Sequence, residues 1–286
     1  SAVPQIMAAA TAIAAVVLLL LGGLCGRSKF ARSWFLTIYY CGVILVRGLS
    51  MPNDAEYRKM MAAIGKEWAA AIIKLQAITL EIEGASNIPS EPCLYLVNHQ
   101  SSMDIPALVQ AIPGYFSFMP KMEIRHIPLV GYVLERSGHI FLDRSNARAA
   151  MRSMNEVAAP ALQSRSFLLF PEGTRSKAGI IPFKKGPFHV ALAAKALVVP
   201  VALAGSDDMR AIDPTTNTIR VSFGVPMRLS GSEEVVDVLT LMRQKIISLN
   251  EASGGKGAKE GTEESHVAKS GNPTKKAGLK AWLPDA

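Results

Sequence analysis

His99 and Asp104 stand five positions apart in the segment Asn98-His99-Gln100-Ser101-Ser102-Met103-Asp104. A neutral imidazole can take a proton from an alcohol near physiological pH, and a neighbouring carboxylate fixes its tautomer and stabilises the imidazolium that forms. One continuous helix through both is a poor vehicle for that chemistry, because five residues turn through about 500° and leave the side chains on different faces. Pro92 to Val97 reads instead as a short buried strand, and Ile105-Pro106-Ala107-Leu108-Val109 as the start of a helix. Pro106 belongs in its first turn, where a missing N–H costs nothing. His99 is therefore expected in a strand-to-helix turn with Asp104 at the helix start, where the two side chains can converge. Taken singly, Asp104 reads as an N-cap and His99 as a surface residue of a loop.

A second constellation, Phe170-Pro171-Glu172-Gly173-Thr174-Arg175-Ser176, follows the strand-like run Phe167-Leu168-Leu169-Phe170. Its turn through Pro171 and Gly173 presents backbone N–H groups and Arg175 at the end of a strand, the place where ligands bind in open α/β sheets. Arg144 likewise follows the run Ile140-Phe141-Leu142, so two guanidinium groups emerge at one sheet edge and can hold a phosphate in bidentate fashion. The structural alternatives are an ion pair of Arg144 with Asp143 and of Arg175 with Glu172. Beside an arginine, Glu172 reads as ionised and positioning, with a second catalytic carboxylate as its other role. Lys184 and Lys185 add positive potential or are simply solvated.

Asn98-His99-x-x-x-x-Asp104 resembles the first signature block of the glycerolipid acyltransferases, the lysophosphatidate acyltransferase group. Three further blocks follow in that family's order. Gly138-His139-Ile140-Phe141-Leu142-Asp143-Arg144 resembles the second, Phe170 to Ser176 the third, and Val199-Pro200-Val201-Ala202 the fourth. Lys121-Met122-Glu123-Ile124 and Pro182-Phe183-Lys184-Lys185-Gly186 resemble the flanking pattern, and the likeness covers roughly residues 80–227. The resemblance implies that His99 and Asp104 are catalytic. It further implies that Arg144 and Arg175, with Lys121 as helper, contact the acceptor's phosphate, and that Glu172, Gly173 and Thr174 order that acceptor site.

Elements that position these groups are legible downstream. Leu94–Val97, Ile140–Leu142, Phe167–Phe170, Val198–Leu203 and Ile219–Phe223 read as strands; Ile105–Ala111, Asn146–Gln163 and Phe188–Ala196 read as helices. Their alternation predicts an α/β fold with a mainly parallel sheet flanked by helices. Asp54–Gln76 has helical composition with Met60, Met61, Ile64, Trp68, Ala71 and Ile72 at helical spacing, and Ser232–Asn250 reads as a closing amphipathic helix. A domain of residues 51–250 is thus expected. Residues 251–286, rich in Gly, Lys, Glu and Ser, read as a disordered tail.

Upstream, residues 1–50 read as a hydrophobic helical membrane anchor. Ile6 to Leu24 is nearly uninterrupted apolar sequence, about 19 residues and about 28 Å as a helix, close to the thickness of a bilayer core. A secretory signal would need basic residues before that run, and none is there. Arg27, Lys29 and Arg32 follow it and favour the cytoplasmic side for that end. The second apolar stretch, Trp34 to Leu49, contains Arg47 and is expected to lie at the interface, or to complete a hairpin dipping into one leaflet.

The 286 residues carry a formal charge of +8 with a pI near 9.4. That charge suits anionic lipid surfaces and phosphorylated substrates; without a long basic run interleaved with aromatics, nucleic acid is not an expected partner. Cys25, Cys41 and Cys93 form no CxxC pair, and the histidines show no HExxH spacing, so no metal site is expected.

The expected chemistry is acyl transfer: His99 deprotonates a glycerol hydroxyl, the oxygen attacks a thioester carbonyl, and a donor stabilises the oxyanion. Ser101 and Ser102 leave a covalent route open, although no GxSxG elbow occurs. The family likeness implies 1-acylglycerol 3-phosphate, a lysophosphatidate, as acceptor at its free sn-2 hydroxyl. It implies acyl-CoA or acyl carrier protein as donor, no further cofactor, and a catalytic domain on the cytoplasmic face of a membrane. Acylation of glycerol 3-phosphate or another lysolipid is the alternative within enzymes, and a non-catalytic binder of lipid phosphates the alternative outside them.

Overall fold

The computed structural model describes residues 29–51, 53–143, 147–206 and 217–259. Two helices lead, α1 (Lys29–Gly48) and α2 (Asp54–Gln76), followed by strand β1 (Thr79–Glu83). Strand β2 (Leu94–Val97) runs into α3 (Asp104–Ala111), then come β3 (Phe116–Phe118), a 3₁₀ turn (Met122–His126) and α4 (Val130–Ser137). Helix α5 (Ala147–Ser153) widens into one π-helical turn (Met154–Ala158) before β4 (Ser166–Leu169). Pro160 lies just past that turn and has no N–H for an i−4 bond, which accounts for the widening. Helix α6 (Gly186–Ala193), strands β5 (Leu197–Ala204), β6 (Thr218–Phe223) and β7 (Met227–Arg228), and helix α7 (Val235–Ala252) complete the order.

Among the described residues the strands form one seven-stranded sheet in the order β1-β6-β5-β2-β4-β3, with β7 beside β5. The sheet is mixed, which corrects the mainly parallel sheet expected from alternation. β2 pairs in parallel with β4 and β5, and β3 with β4, but β6 and β7 both run antiparallel to β5. β6 pairs with β5, the strand that precedes it in the sequence, and strands adjacent in both sequence and sheet commonly run antiparallel. Beyond β6, β1 pairs parallel to it at the edge.

Ile140–Leu142, expected as a strand, contributes only an isolated bridge between Leu142 and Lys121. Conversely β1 and β3, read as neither strand nor helix, occupy the two edges.

Strand alternation divides the core. Leu94 and Leu96 of β2, Phe167 and Leu169 of β4 and Val198 and Ala202 of β5 face Phe188, Leu192, Val238 and Met242 of α6 and α7. Tyr95, Val97, Leu168, Val199, Val201 and Leu203 face the opposite side, against Ala107, Leu108 and Ile112 of α3 and its C-cap. Every residue of β2 is buried because helices cover both faces, and each such apolar side chain contributes about 1.5–3 kcal/mol.

The expected membrane anchor also needs correction. Among the described residues no helix is long and apolar enough to cross a membrane. Helix α1, which contains the expected interfacial stretch, carries Lys29, Arg32 and Arg47. It buries Cys41 and Ile44 against Tyr57 and Ile64 of α2 and Val130 and Val133 of α4, so the apolar side chains on that face serve protein packing. The run Ile6 to Leu24 lies outside the described residues, as do residues 260–286 of the expected tail. Residues 251–259 of that tail are described, continuing from α7 into an ordered bridge of Ala258 with Ile180.

Candidate active site

Because β2, β3, β4 and β5 run in one direction, their carboxyl ends share one edge of the sheet. His99 follows β2, Lys121 follows β3, Glu172 to Arg175 follow β4, and Ser206 follows β5, so topology alone gathers these residues on that edge.

The β2–α3 turn brings His99 and Asp104 together. His99 Nδ1 lies 2.7 Å from Asp104 Oδ2. The same oxygen accepts the backbone N–H groups of Gln100 at 2.7 Å and Ser101 at 2.9 Å. An oxygen receiving three donors must be an acceptor throughout, so Asp104 selects the Nδ1–H tautomer and leaves Nε2 as the basic nitrogen. Asp104 is fully buried, while His99 retains 13% side-chain exposure. Asp104 does not serve as an N-cap: it is the first residue of α3, its bonded donors lie upstream in the turn, and the cap position belongs to Met103. Neither a solvated loop histidine nor a simple helix cap describes this pair.

The imidazole stacks on Phe170, with ring centroids 3.9 Å apart and 15° between planes. Its main chain is held as well. The N–H of His99 donates to Glu172 Oε1 at 2.7 Å, and its carbonyl accepts the N–H of Ser176 at 2.9 Å. Glu172 Oε2 accepts the N–H of Ile181 at 3.1 Å. Burial pushes the Glu172 carboxyl up to about 7, and the Asp104 charge adds to the rise; the two N–H donors and Arg243 pull the other way. Glu172 is thus a buried brace between two segments of main chain. Its two N–H partners, rather than an ion pair with Arg175, satisfy its oxygens.

Gly173 takes φ +71°, so the turn favours glycine for its backbone, and the flexible Lys184 side chain lies across it. Thr174, Arg175, Lys184 and Lys185 are exposed around this turn. Lys121 is exposed and immediately precedes the 3₁₀ turn, and its bridge to Leu142 ties it to the segment ending in Asp143. Arg144 lies outside the described residues.

The serine alternative lacks its hydrogen bond: Ser101 Oγ accepts the N–H of Met103 at 3.3 Å, and Ser102 is exposed. Among the described residues no group of three or more His, Cys, Asp and Glu side chains is arranged to hold a metal ion.

Sequence reading missed Asn98, Phe170 and Glu172 as the framework of His99. Asn98 is fully buried, its amide donating to the Leu203 carbonyl at 2.9 Å and its oxygen accepting the Leu203 N–H at 2.7 Å. Asn98 thereby locks the end of β2 to β5. A polar residue directly after a wholly apolar strand was the available signal for it.

Residues 79–204 match the family model described as Acyltransferase. The 1-acyl-sn-glycerol-3-phosphate acyltransferase alpha of Ovis aries is 33% identical over 187 residues, which cover 64% of this chain and 62% of that protein. The 1-acyl-sn-glycerol-3-phosphate acyltransferase of Cocos nucifera is 40% identical over 129 residues, 44% of this chain and 42% of that protein. The chain thus spans less than two thirds of the length of these curated relatives. Among solved structures, the crystal structure of the 1-acyl-sn-glycerophosphate (LPA) acyltransferase PlsC from Thermotoga maritima superposes with a TM-score of 0.63 at 23% identity, covering 79% of this chain and 98% of that one. That likeness establishes a shared fold. Residues 79–204 of this chain are thus similar to the acyltransferase family.

Proposed function

We propose that this protein transfers a fatty acyl group from an acyl thioester, acyl-CoA or acyl carrier protein, to the free sn-2 hydroxyl of 1-acylglycerol 3-phosphate, forming phosphatidate. The observation that carries this reading is the 2.7 Å contact between His99 Nδ1 and a buried Asp104, which leaves Nε2 as the basic nitrogen of a residue at the carboxyl edge of the sheet.

In this scheme His99 Nε2 takes the proton of the sn-2 hydroxyl as its oxygen attacks the thioester carbonyl, Asp104 stabilises the imidazolium, and collapse of the tetrahedral intermediate expels the thiolate, which recovers the proton. No enzyme nucleophile is needed. Arg175 and Lys121, with Arg144, bind the phosphate; Gly173 and Thr174 shape the turn around it. Glu172 acts on the acceptor site through the main chain, holding His99 and Ile181 rather than substrate.

A lysophospholipid acceptor is presented at a lipid surface, and the exposed Phe30 and Trp34 of α1, beside Lys29 and Arg32, form a basic amphipathic patch suited to an anionic one. Cytosolic thioesters would reach the site if that surface is the cytoplasmic face of a membrane.

Incubation with 1-acylglycerol 3-phosphate and either donor tests the reading. Phosphatidate from one donor supports it and names that donor. Product from glycerol 3-phosphate or another lysolipid alone would move the activity to that acceptor, and retention of lysophosphatidate without turnover would reduce the protein to a lipid-phosphate binder.

A further inference from the structure

Helix α7 and the segment after it reach back to the His99 turn through an unbroken sequence of hydrogen bonds. Asn250, fully buried near the end of α7, donates its amide to the Leu203 carbonyl at 2.6 Å. That carbonyl also receives Asn98, the residue before His99, at 2.9 Å. The Asn250 side-chain oxygen accepts the N–H of Gly257 at 2.8 Å. The Gly257 carbonyl accepts the N–H of Ile180 at 2.8 Å, and the Ile180 carbonyl accepts the N–H of Lys259 at 3.0 Å. Ile181, next along the chain, donates to Glu172, whose other oxygen holds the N–H of His99. The circuit begins at the Asn98 side chain and ends at the N–H of His99, so it holds the main chain entering His99 at two points.

Local sequence fits this role. Gly255 donates its N–H to the Asn250 carbonyl at 2.7 Å, and a Cβ at position 255 would stand 2.3 Å from Asn250 Oδ1. Only glycine lets the chain turn so closely around that amide. Lys256 Nζ donates to the Lys177 carbonyl at 2.9 Å, and the Arg243 guanidinium of α7 donates to the Ile180 carbonyl at 3.3 Å. The strap therefore meets the loop after Arg175 at several points.

We infer that Asn250 and the strap Gly254–Lys259 are positioning elements of the active site: they set the loop of residues 172–184, and through Glu172 the backbone of His99, in the geometry that proton abstraction needs. This rests on the reading of His99 as the base. Asn250 touches no substrate in this account; it acts through Leu203, Gly257 and Ile181.

The experiment uses the full chain with Asn250→Asp and, separately, Gly255→Ala. Asn250→Asp keeps the side-chain volume but sets an oxygen against the Leu203 carbonyl; Gly255→Ala leaves every hydrogen-bonding group in place and displaces the strap. Two readouts are taken: amide hydrogen exchange at His99 and Ile181, and kcat and KM with acyl-CoA and 1-acylglycerol 3-phosphate. Faster exchange at both amides is expected in each variant. A fall in kcat on the order of tenfold to a hundredfold is expected with KM for the thioester within about twofold, as for misplaced but intact catalytic groups. Unchanged exchange at His99 and Ile181, or a lowered Tm with kcat unmoved, would overturn the inference. If wild type makes no phosphatidate while both variants lose exchange protection, the strap stands and the enzymatic reading of the site falls.

Discussion

Asp104 Oδ2 collects three donors within 2.9 Å, His99 Nδ1 and the backbone N–H groups of Gln100 and Ser101, and so fixes the turn and the imidazole with one atom. Asp104→Asn removes the charge that stabilises the imidazolium. An amide must offer either its oxygen, keeping the turn, or its NH₂, which repels the same N–H groups and favours the wrong imidazole tautomer. Turnover is expected to fall on the order of 10³- to 10⁴-fold, the scale seen when a tautomer-fixing carboxylate becomes an amide. Nitrogen NMR of the His99 ring would register the change of tautomer; retention of the Nδ1–H form with full kcat would refute the role.

Glu172→Gln replaces a carboxylate that accepts from two N–H groups with an amide that can accept on one side only. Loss of kcat by about tenfold is expected, together with raised proteolytic sensitivity of the loop beyond Gly173, since each unpaired buried N–H costs about 1–3 kcal/mol. In wild type the carboxyl is raised to about 7 from 4.5. The folded chain holds that proton more tightly than the unfolded chain, so this contribution to stability is complete below pH 4.5 and is lost as pH rises through 7. Urea midpoints from pH 5 to 8 should show this downward slope in wild type and not in Glu172→Gln.

His139 behaves oppositely. It is buried, and burial, with the Arg165 charge, depresses its pKa to about 3 from 6.5. As pH falls below 6.5 the unfolded chain gains a proton that the folded chain refuses until near 3, so stability drains away across that interval. His139 Nδ1 sits 3.1 Å from the Tyr115 hydroxyl, which itself donates to the Ser137 carbonyl at 2.7 Å. His139→Asn, which cannot titrate, should flatten the acid limb of the stability curve at the cost of some packing. An unchanged limb would remove His139 as its source.

Arg175 is exposed beside the Gly173 turn and forms no ion pair with Glu172. Arg175→Ala is therefore expected to leave stability within about 0.5 kcal/mol, as for surface changes, while raising KM for the phosphorylated acceptor more than it lowers kcat. Arg175→Lys should recover only part of the affinity, because an ammonium cannot bind phosphate in bidentate fashion. A variant with wild-type KM would take Arg175 out of the acceptor site.

The convergence of His99 and Asp104 was legible because its determinants are local: an apolar run that must be a buried strand, a short turn, and Pro106 marking the first helical turn. The direction of β6 was not, since pairing depends on which strand the returning chain meets and not on its own alternation. Residues 251–259 misled for a related reason. Their Gly-rich composition fits disorder when read alone, yet those glycines permit the close turn around Asn250 that ties the segment to Ile180. Helix α1 looked lipid-facing because apolarity does not say whether lipid or protein covers a side chain; Cys41 and Ile44 are covered by α2 and α4. Asn98, Glu172 and Asn250 act through main-chain groups distant in sequence, and no spacing rule exposes such bonds.

A single-turnover assay of acyl transfer from labelled acyl-CoA or acyl carrier protein to 1-acylglycerol 3-phosphate, run with wild type and His99→Ala alongside equilibrium binding of the lysolipid, decides whether His99 is the base. Phosphatidate formed by wild type, lost by several orders of magnitude in His99→Ala, with lysolipid affinity preserved in both, is the expected result. Full turnover by His99→Ala would contradict it.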